Sequence, residues 1–131
     1  MKIYDFTETE VIINSDYELS ATLRLPSLNK EKCPAVILVA GSGQIDRDGT
    51  IMDLNLNTNI YKDLAEHITS LGFATLRYDK RGVGKSKGNF TRTGMWDLVK
   101  DLIETYTFLE NHPHIDADNI ILLGHSEGCT L

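Results

Sequence analysis

The chain reads as an α/β protein. Three short apolar runs, Ala35–Ala40, Phe73–Tyr78 and Ile120–Leu123, alternate with two stretches whose apolar residues recur at helical spacing. Each run leads into a glycine-bearing segment: Gly41–Gly43, Gly82–Gly88 and Gly124–Gly128. Right-handed crossovers would lay the three runs parallel, with helices on both faces. All three glycine segments would then gather beyond the carboxyl ends of the strands, where such sheets bind ligands.

The elements follow in order. Glu10–Asn14 and Tyr17–Leu25 are β-rich, partly alternating runs on either side of Ser15-Asp16, and predict an antiparallel hairpin closed by Pro26. Ser27–Lys32 is a polar connector. Ala35–Ala40 is apolar without alternation, as in a strand buried on both faces. A long loop is expected next, through Asp46-Arg47-Asp48-Gly49 to about Thr58. Ile60, Leu64, Ile68 and Leu71 mark a helix over Asn59–Leu71, with Gly72 in the C-cap place. Beyond strand Phe73–Tyr78 and its glycine loop, Met95, Leu98, Val99, Leu102, Ile103, Tyr106 and Leu109 form a second stripe that Asn111-His112-Pro113 stops. Trp96 and the aromatics of that stripe are expected in the core. Asp116–Asn119 turns into the last strand, Ile120–Leu123.

Composition narrows the function classes. Hydrophobic residues at 41% and charged ones at 24% are ordinary for a soluble globular chain and exclude disordered or collagen-like classes. A net charge of −6 offers no basic footprint for phosphate backbones or anionic lipid, so neither nucleic acid nor membrane is expected as a partner. The start, Met1-Lys2-Ile3-Tyr4-Asp5-Phe6, has no apolar leader, and no stretch approaches bilayer length; a cytoplasmic location is the expectation. Cys33 and Cys129 lack metal-ligand spacing and read as reduced thiols, with Cys129 expected to face helix packing in the complete fold. At 131 residues a single domain is expected, cut off just after its last glycine segment.

That last segment carries the chemistry. Gly124-His125-Ser126-Glu127-Gly128 directly follows an apolar strand, and G-x-S-x-G in that place is the pattern of a nucleophile elbow. The glycines let the chain reverse sharply, so that the serine hydroxyl stands above the sheet. A serine becomes a competent nucleophile only when a base, a histidine held by a carboxylate, takes its proton. His125 is expected to line the site wall or pack, because neighbouring side chains diverge. His67, on or beside the first helical stripe, is expected to pack, and His112 and His114 to lie at the surface. None of the four is placed to serve as the base.

Two other patterns call for weighing. Asp46-Arg47-Asp48-Gly49 lacks the further oxygen ligands and distal Glu of a calcium loop and reads as a hydrogen-bonded loop of paired charges; no metal and no cofactor is expected. Gly82-Val83-Gly84-Lys85-Ser86 echoes a phosphate-binding loop. Asp79, however, stands where that pattern demands glycine, and Lys87-Gly88-Asn89 argues against a following helix. A turn in which Asp79 and Arg81 pair and brace the loops is the expectation.

Three segments in order, Val39–Gly49, Arg77–Ser86 and Leu122–Gly128, resemble the α/β-hydrolase superfamily, in its bacterial carboxylesterase and serine-aminopeptidase-like branch. The hairpin and His112–Asp116 also fit, so the likeness spans nearly the whole chain. It implies the N-terminal half of an α/β-hydrolase fold, with an antiparallel hairpin leading into a mostly parallel sheet with flanking helices. Ser126 would form an acyl-enzyme with a small-molecule ester, thioester or amide. The oxyanion hole would use the backbone N–H of Glu127 and that of Ser42, with Gly43 the second choice. The Glu127 side chain would pair with Arg81 or point at substrate. By the same resemblance the triad acid and histidine lie past residue 131, and negligible turnover is expected of the chain as it stands. The alternative is a non-catalytic remnant that pairs with itself or a partner through the sheet edge Ile120–Leu123.

Overall fold

In the computed structural model, residues 5–27 and 32–131 are described, so the connector Ser27–Lys32 falls largely outside the described residues. The hairpin is longer than its alternation predicts. β1 (Phe6–Asn14) and β2 (Glu18–Pro26) pair antiparallel along their whole length, from Phe6 opposite Pro26 to Asn14 opposite Glu18. β3 (Cys33–Val39) follows. The segment expected as one long loop contains a small ribbon, β4 (Thr50–Ile51) against β5 (Leu56–Asn57). Then come α1 (Ile60–Ser70), β6 (Ala74–Tyr78), α2 (Met95–Glu110) and β7 (Ile115–Gly124).

The main sheet has the order β1-β2-β6-β3-β7, with β6, β3 and β7 mutually parallel and the hairpin antiparallel to β6. β7 starts at Ile115 rather than Ile120. Ile115 pairs with Cys33, the register shifts, and pairing resumes with Ala35 opposite Ile120. The expected turn is thus an irregularity within the strand, held where the Asp116 carboxylate accepts from the Asp118 N–H and the Asn119 amide.

Alternation along β3 sends its side chains to two cores. Ile37 and Val39 join Leu19, Leu23, Leu76, Leu102 and Leu109 on the α2 face. Val36, Leu38 and Ala40 join Tyr61 and Ala65 on the α1 face. Each fully buried Leu or Ile contributes about 1.5–3 kcal/mol. The non-alternating run Ala35–Ala40 is the signature of this double burial.

Both helices form where their periodicity places them, but each presents a different line to the sheet. α1 buries Tyr61, Ala65 and Thr69, which leaves Ile60, Leu64 and Leu71 exposed and His67 on the solvent side instead of packed. α2 buries Asp101, Leu102, Thr105 and Leu109. Trp96 stands off that line and is 81% exposed, contrary to its expected place in the core, and Met95 and Ile103 are exposed too. The polar pair Asp101 and Thr105 is held inward: Asp101 meets Arg81, and Thr105 donates to the Asp101 carbonyl. At the end of α1, Gly72 adopts φ +98° and donates to the Thr69 carbonyl, as a helix-stopping glycine does. No helix among the described residues is long and apolar enough to cross a membrane.

From β3 the chain crosses the α1 face to reach β6 on one side. From β6 it crosses the α2 face to reach β7 on the other. The connections diverge at the carboxyl end of β3, which is where open α/β sheets leave a crevice.

Candidate active site

Three loops converge on that crevice. His125, just past β7, donates its N–H to the Val39 carbonyl at 3.0 Å, which carries the ladder one residue into the glycine segment. The chain then reverses. Ser126 has φ +55°, a left-handed conformation that costs a non-glycine residue about 1 kcal/mol or more. Gly128 closes the bend by donating to the His125 carbonyl at 3.0 Å, and one turn of 3-10 helix, Ser126–Thr130, follows. The bend leaves no room for side chains beside it. A methyl group on Gly124 would stand 2.6 Å from the Gly128 carbonyl oxygen, and one on Gly128 would stand 3.0 Å from the Ala40 oxygen. The Ser126 side chain is exposed above the sheet.

The first glycine loop abuts this bend. A methyl on Gly41 would lie 3.4 Å from Ser126 Cβ and 3.3 Å from the His125 carbonyl oxygen. Gly41 N–H donates to the buried Tyr61 hydroxyl at 3.1 Å, and that hydroxyl lies 2.8 Å from His125 Nδ1. An oxygen that accepts from Gly41 can send its own proton to Nδ1, which places the imidazole hydrogen on Nε2. His125 is therefore engaged with Tyr61, and among the described residues no histidine is hydrogen-bonded to Ser126.

Ser42 and Gly43 are exposed, and among the described residues their N–H groups meet no acceptor. Glu127 N–H lies in the first turn of the 3-10 helix, where intrahelical acceptors are lacking. The carbonyls of Gly41 and Gly43 face elsewhere, onto Lys80 Nζ at 2.6 and 2.9 Å. Burial pulls the Lys80 pKa below its ordinary value, and the Glu127 carboxylate opposes that shift. Sequence reasoning missed Tyr61 and Lys80. Tyr61 falls one place after Ile60, off the periodic line of its helix, and Lys80 stands between two charges at a strand end, which reads as solvated.

Asp79 and Arg81 do not pair with each other. The Asp79 carboxylate accepts from Arg47 N–H at 2.8 Å, Arg47 Nη2 at 2.9 Å and Lys85 N–H at 3.0 Å. Arg81, beyond the turn, faces α2 and binds Asp101, with Asp16 and Asp97 around it. Loops distant in sequence thus supply the partners, and each of the two residues ties a different pair of segments. Arg81 takes no bond from Glu127; among charged groups, the half-buried Glu127 acts on Lys80.

The loop after β3 is a set of hydrogen-bonded charges. Asp46 Oδ1 accepts from the N–H groups of Asp48, Gly49 and Thr50 at 2.8–3.1 Å, and Asp48 pairs with Arg77 at 3.1 Å. In the Gly82–Ser86 loop the Ser86 hydroxyl donates to the Asp79 carbonyl and accepts from Ser20 N–H. A methyl on Gly84 would stand 2.6 Å from Asp79 Oδ2, so a carboxylate occupies the ground a phosphate would need. Cys129 is exposed, its thiol 3.1 Å from the Gly124 carbonyl.

Residues 54–131 match the family described as serine aminopeptidase, S33. Esterase EstD of Thermotoga maritima is 32% identical over 126 residues, 96% of this chain and 28% of that protein. Polyketide transferase af380 of Aspergillus fumigatus is 33% identical over 90 residues, 64% of this chain and 30% of that one. The structure of Est1E from Butyrivibrio proteoclasticus with bound ferulic acid superposes with a TM-score of 0.71 at 26% identity, over 90% of this chain and 43% of that chain. The chain spans less than a third of the length of these curated relatives.

Proposed function

Since the chain belongs to the serine aminopeptidase family and carries an α/β-hydrolase sheet, we propose that it supplies the nucleophile-bearing part of a carboxylesterase-like serine hydrolase. Its substrates are small esters or amides, cleaved through an acyl-enzyme on Ser126. One observation carries this reading: among the described residues other than glycine and asparagine, Ser126 alone holds a positive φ, and it does so, exposed, in the bend beyond β7 beside the Gly41 loop. Strain of this kind persists where the surrounding structure enforces it, and such positions cluster at active sites.

In the reaction a base takes the Ser126 proton as Oγ attacks the substrate carbonyl. Negative charge grows on the carbonyl oxygen, between Glu127 N–H and the N–H of Ser42, or of Gly43. A donor fixed in advance at that point contributes about 3 kcal/mol. Collapse expels the alcohol or amine, and water releases the acid. By the likeness to longer relatives, the base and its carboxylate would lie past residue 131; His125, held by Tyr61, is not free to be that base. A relative named as an esterase supports the ester class.

The test uses the longest natural chain that contains these residues. A fluorophosphonate probe read by intact mass is expected to give one adduct, absent in Ser126→Ala. Equal hydrolysis of p-nitrophenyl acetate before and after that substitution would place the nucleophile elsewhere.

A further inference from the structure

We propose that Lys80 is a positioning residue of the oxyanion loop, holding the carbonyls of Gly41 and Gly43 so that the N–H of Ser42 is aimed and polarised toward the reacting carbonyl. The inference rests on Ser126 being the nucleophile. Its starting point is a buried ammonium, 3% exposed, whose hydrogen-bond partners are two carbonyl oxygens of one glycine loop, at 2.6 and 2.9 Å. Among the described residues no carboxylate lies within ion-pairing distance of it. A charge taken out of water costs several kcal/mol unless its bonds offset that loss, and here the bonds go to the loop beside Ser126.

The peptide group explains what these bonds do. Gly41 C=O and Ser42 N–H are two ends of one planar trans unit, and no cis bond occurs among the described residues. Drawing the carbonyl onto Lys80 therefore turns the Ser42 N–H away from Lys80. A cation on the oxygen also withdraws electron density from the unit and strengthens its N–H as a donor. The same residue is held at its other end, because Gly41 N–H is committed to the Tyr61 hydroxyl and cannot serve substrate. Gly43 N–H, the other unspent donor, belongs to the Ser42 carbonyl unit, which Lys80 does not touch. The geometry thus singles out Ser42 over Gly43.

An effect directed at a charge that exists only in the transition state appears in kcat and leaves KM alone. In the longest natural chain containing these residues, with active sites counted by fluorophosphonate titration, Lys80→Met is expected to lower kcat per site about 10-fold or more, with KM within about two-fold. Lys80→Gln, which keeps one neutral donor, is expected to fall in between. A Lys80→Met enzyme with unchanged kcat per site overturns the proposal, and so does a loss confined to KM. Should neither variant fold, the parent protein answers by nitrogen-15 NMR. A Lys80 Nζ signal in slow exchange with water, coupled to the Gly41 and Gly43 carbonyl carbons, supports the proposal; exchange as fast as that of a surface lysine such as Lys62 overturns it. Labelling that persists in Ser126→Ala would instead sink the nucleophile assignment, so the two failures are distinct.

Discussion

Arg81 and Asp101 share two hydrogen bonds of 2.7 Å, Nε to Oδ2 and Nη2 to Oδ1, with side chains 6% and 1% exposed. This planar pairing fastens the loop after β6 to the middle of α2, and Ser15 from the hairpin turn donates to the same carboxylate at 2.6 Å. Three segments far apart in sequence meet at one buried anion. The Asp101 carboxylate also holds the Arg81 pKa above its ordinary value.

Removing one partner of such a pair strands the other charge. Asp101→Asn is expected to destabilise the fold by about 3 kcal/mol, read from urea unfolding. Removing both charges together, in Arg81→Met with Asp101→Leu, is expected to recover most of that loss, because no uncompensated ion remains. If Asp101→Asn unfolds at the parental midpoint, the pair does not anchor α2.

The elbow glycines make a second, sharper prediction. With a methyl group on Gly124 only 2.6 Å from the Gly128 carbonyl oxygen, Gly124→Ala must push the bend open. A cost of about 1–3 kcal/mol is expected from overpacking, together with slower labelling of Ser126. Gly94→Ala is the control: its nearest neighbour would be Asp97 Oδ2 at 3.8 Å, at a helix N-cap where alanine is mildly unfavourable. Equal effects at the two positions would show that the elbow is not close-packed.

The two thiols should behave oppositely. Cys129 is exposed, whereas Cys33 is buried in the α2-face core and desolvation pushes its pKa above the ordinary 9.0. One thiol is therefore expected to react quickly with DTNB in the native chain and the second only on unfolding. The sign for stability follows from linkage. The folded state keeps the Cys33 proton more tightly than the unfolded state, so this contribution is complete below pH 9.0 and is lost as pH rises toward the folded pKa. Relative to Cys33→Ala, the parent should lose stability on crossing that window; a constant difference between them would contradict the burial.

What the sequence made legible follows from which interactions are local. β3 was readable because double burial leaves no polar position in it, and the elbow because its glycines sit at fixed offsets from Ser126. Helix faces were less so. Ile60 and Leu64 mark the periodicity of α1, yet Tyr61 and Ala65 do the packing, since a helix apolar on two sides does not announce which one the sheet will take. Asp79 and Arg81 are neighbours in sequence and invited pairing with each other, while their partners, Arg47 and Asp101, come from elements that only the sheet order brings near. Lys80 was illegible for the same reason: its acceptors are Gly41 and Gly43, across a crossover connection.

The exposed strand at the end of the chain yields the last prediction. Among the described residues β7 is an edge of the sheet, pairing only with β3, and its Ile121, Leu122 and Leu123 are 48%, 50% and 40% exposed. Leu122 faces the same side as Ile37, beside Val99 and Ile103 of α2, while Ile121 and Leu123 face the side α1 leaves uncovered. An edge with open backbone donors and apolar residues on both faces is a template for another strand. The 131-residue chain alone is therefore expected to associate with rising concentration in analytical ultracentrifugation, and Leu122→Lys to shift it toward monomer. It should also hydrolyse p-nitrophenyl acetate no faster than its Ser126→Ala variant, because no histidine reaches the hydroxyl. A stable monomer at about 100 μM would show the edge to be protected, and turnover above the Ser126→Ala level would show that a base is already present within these residues.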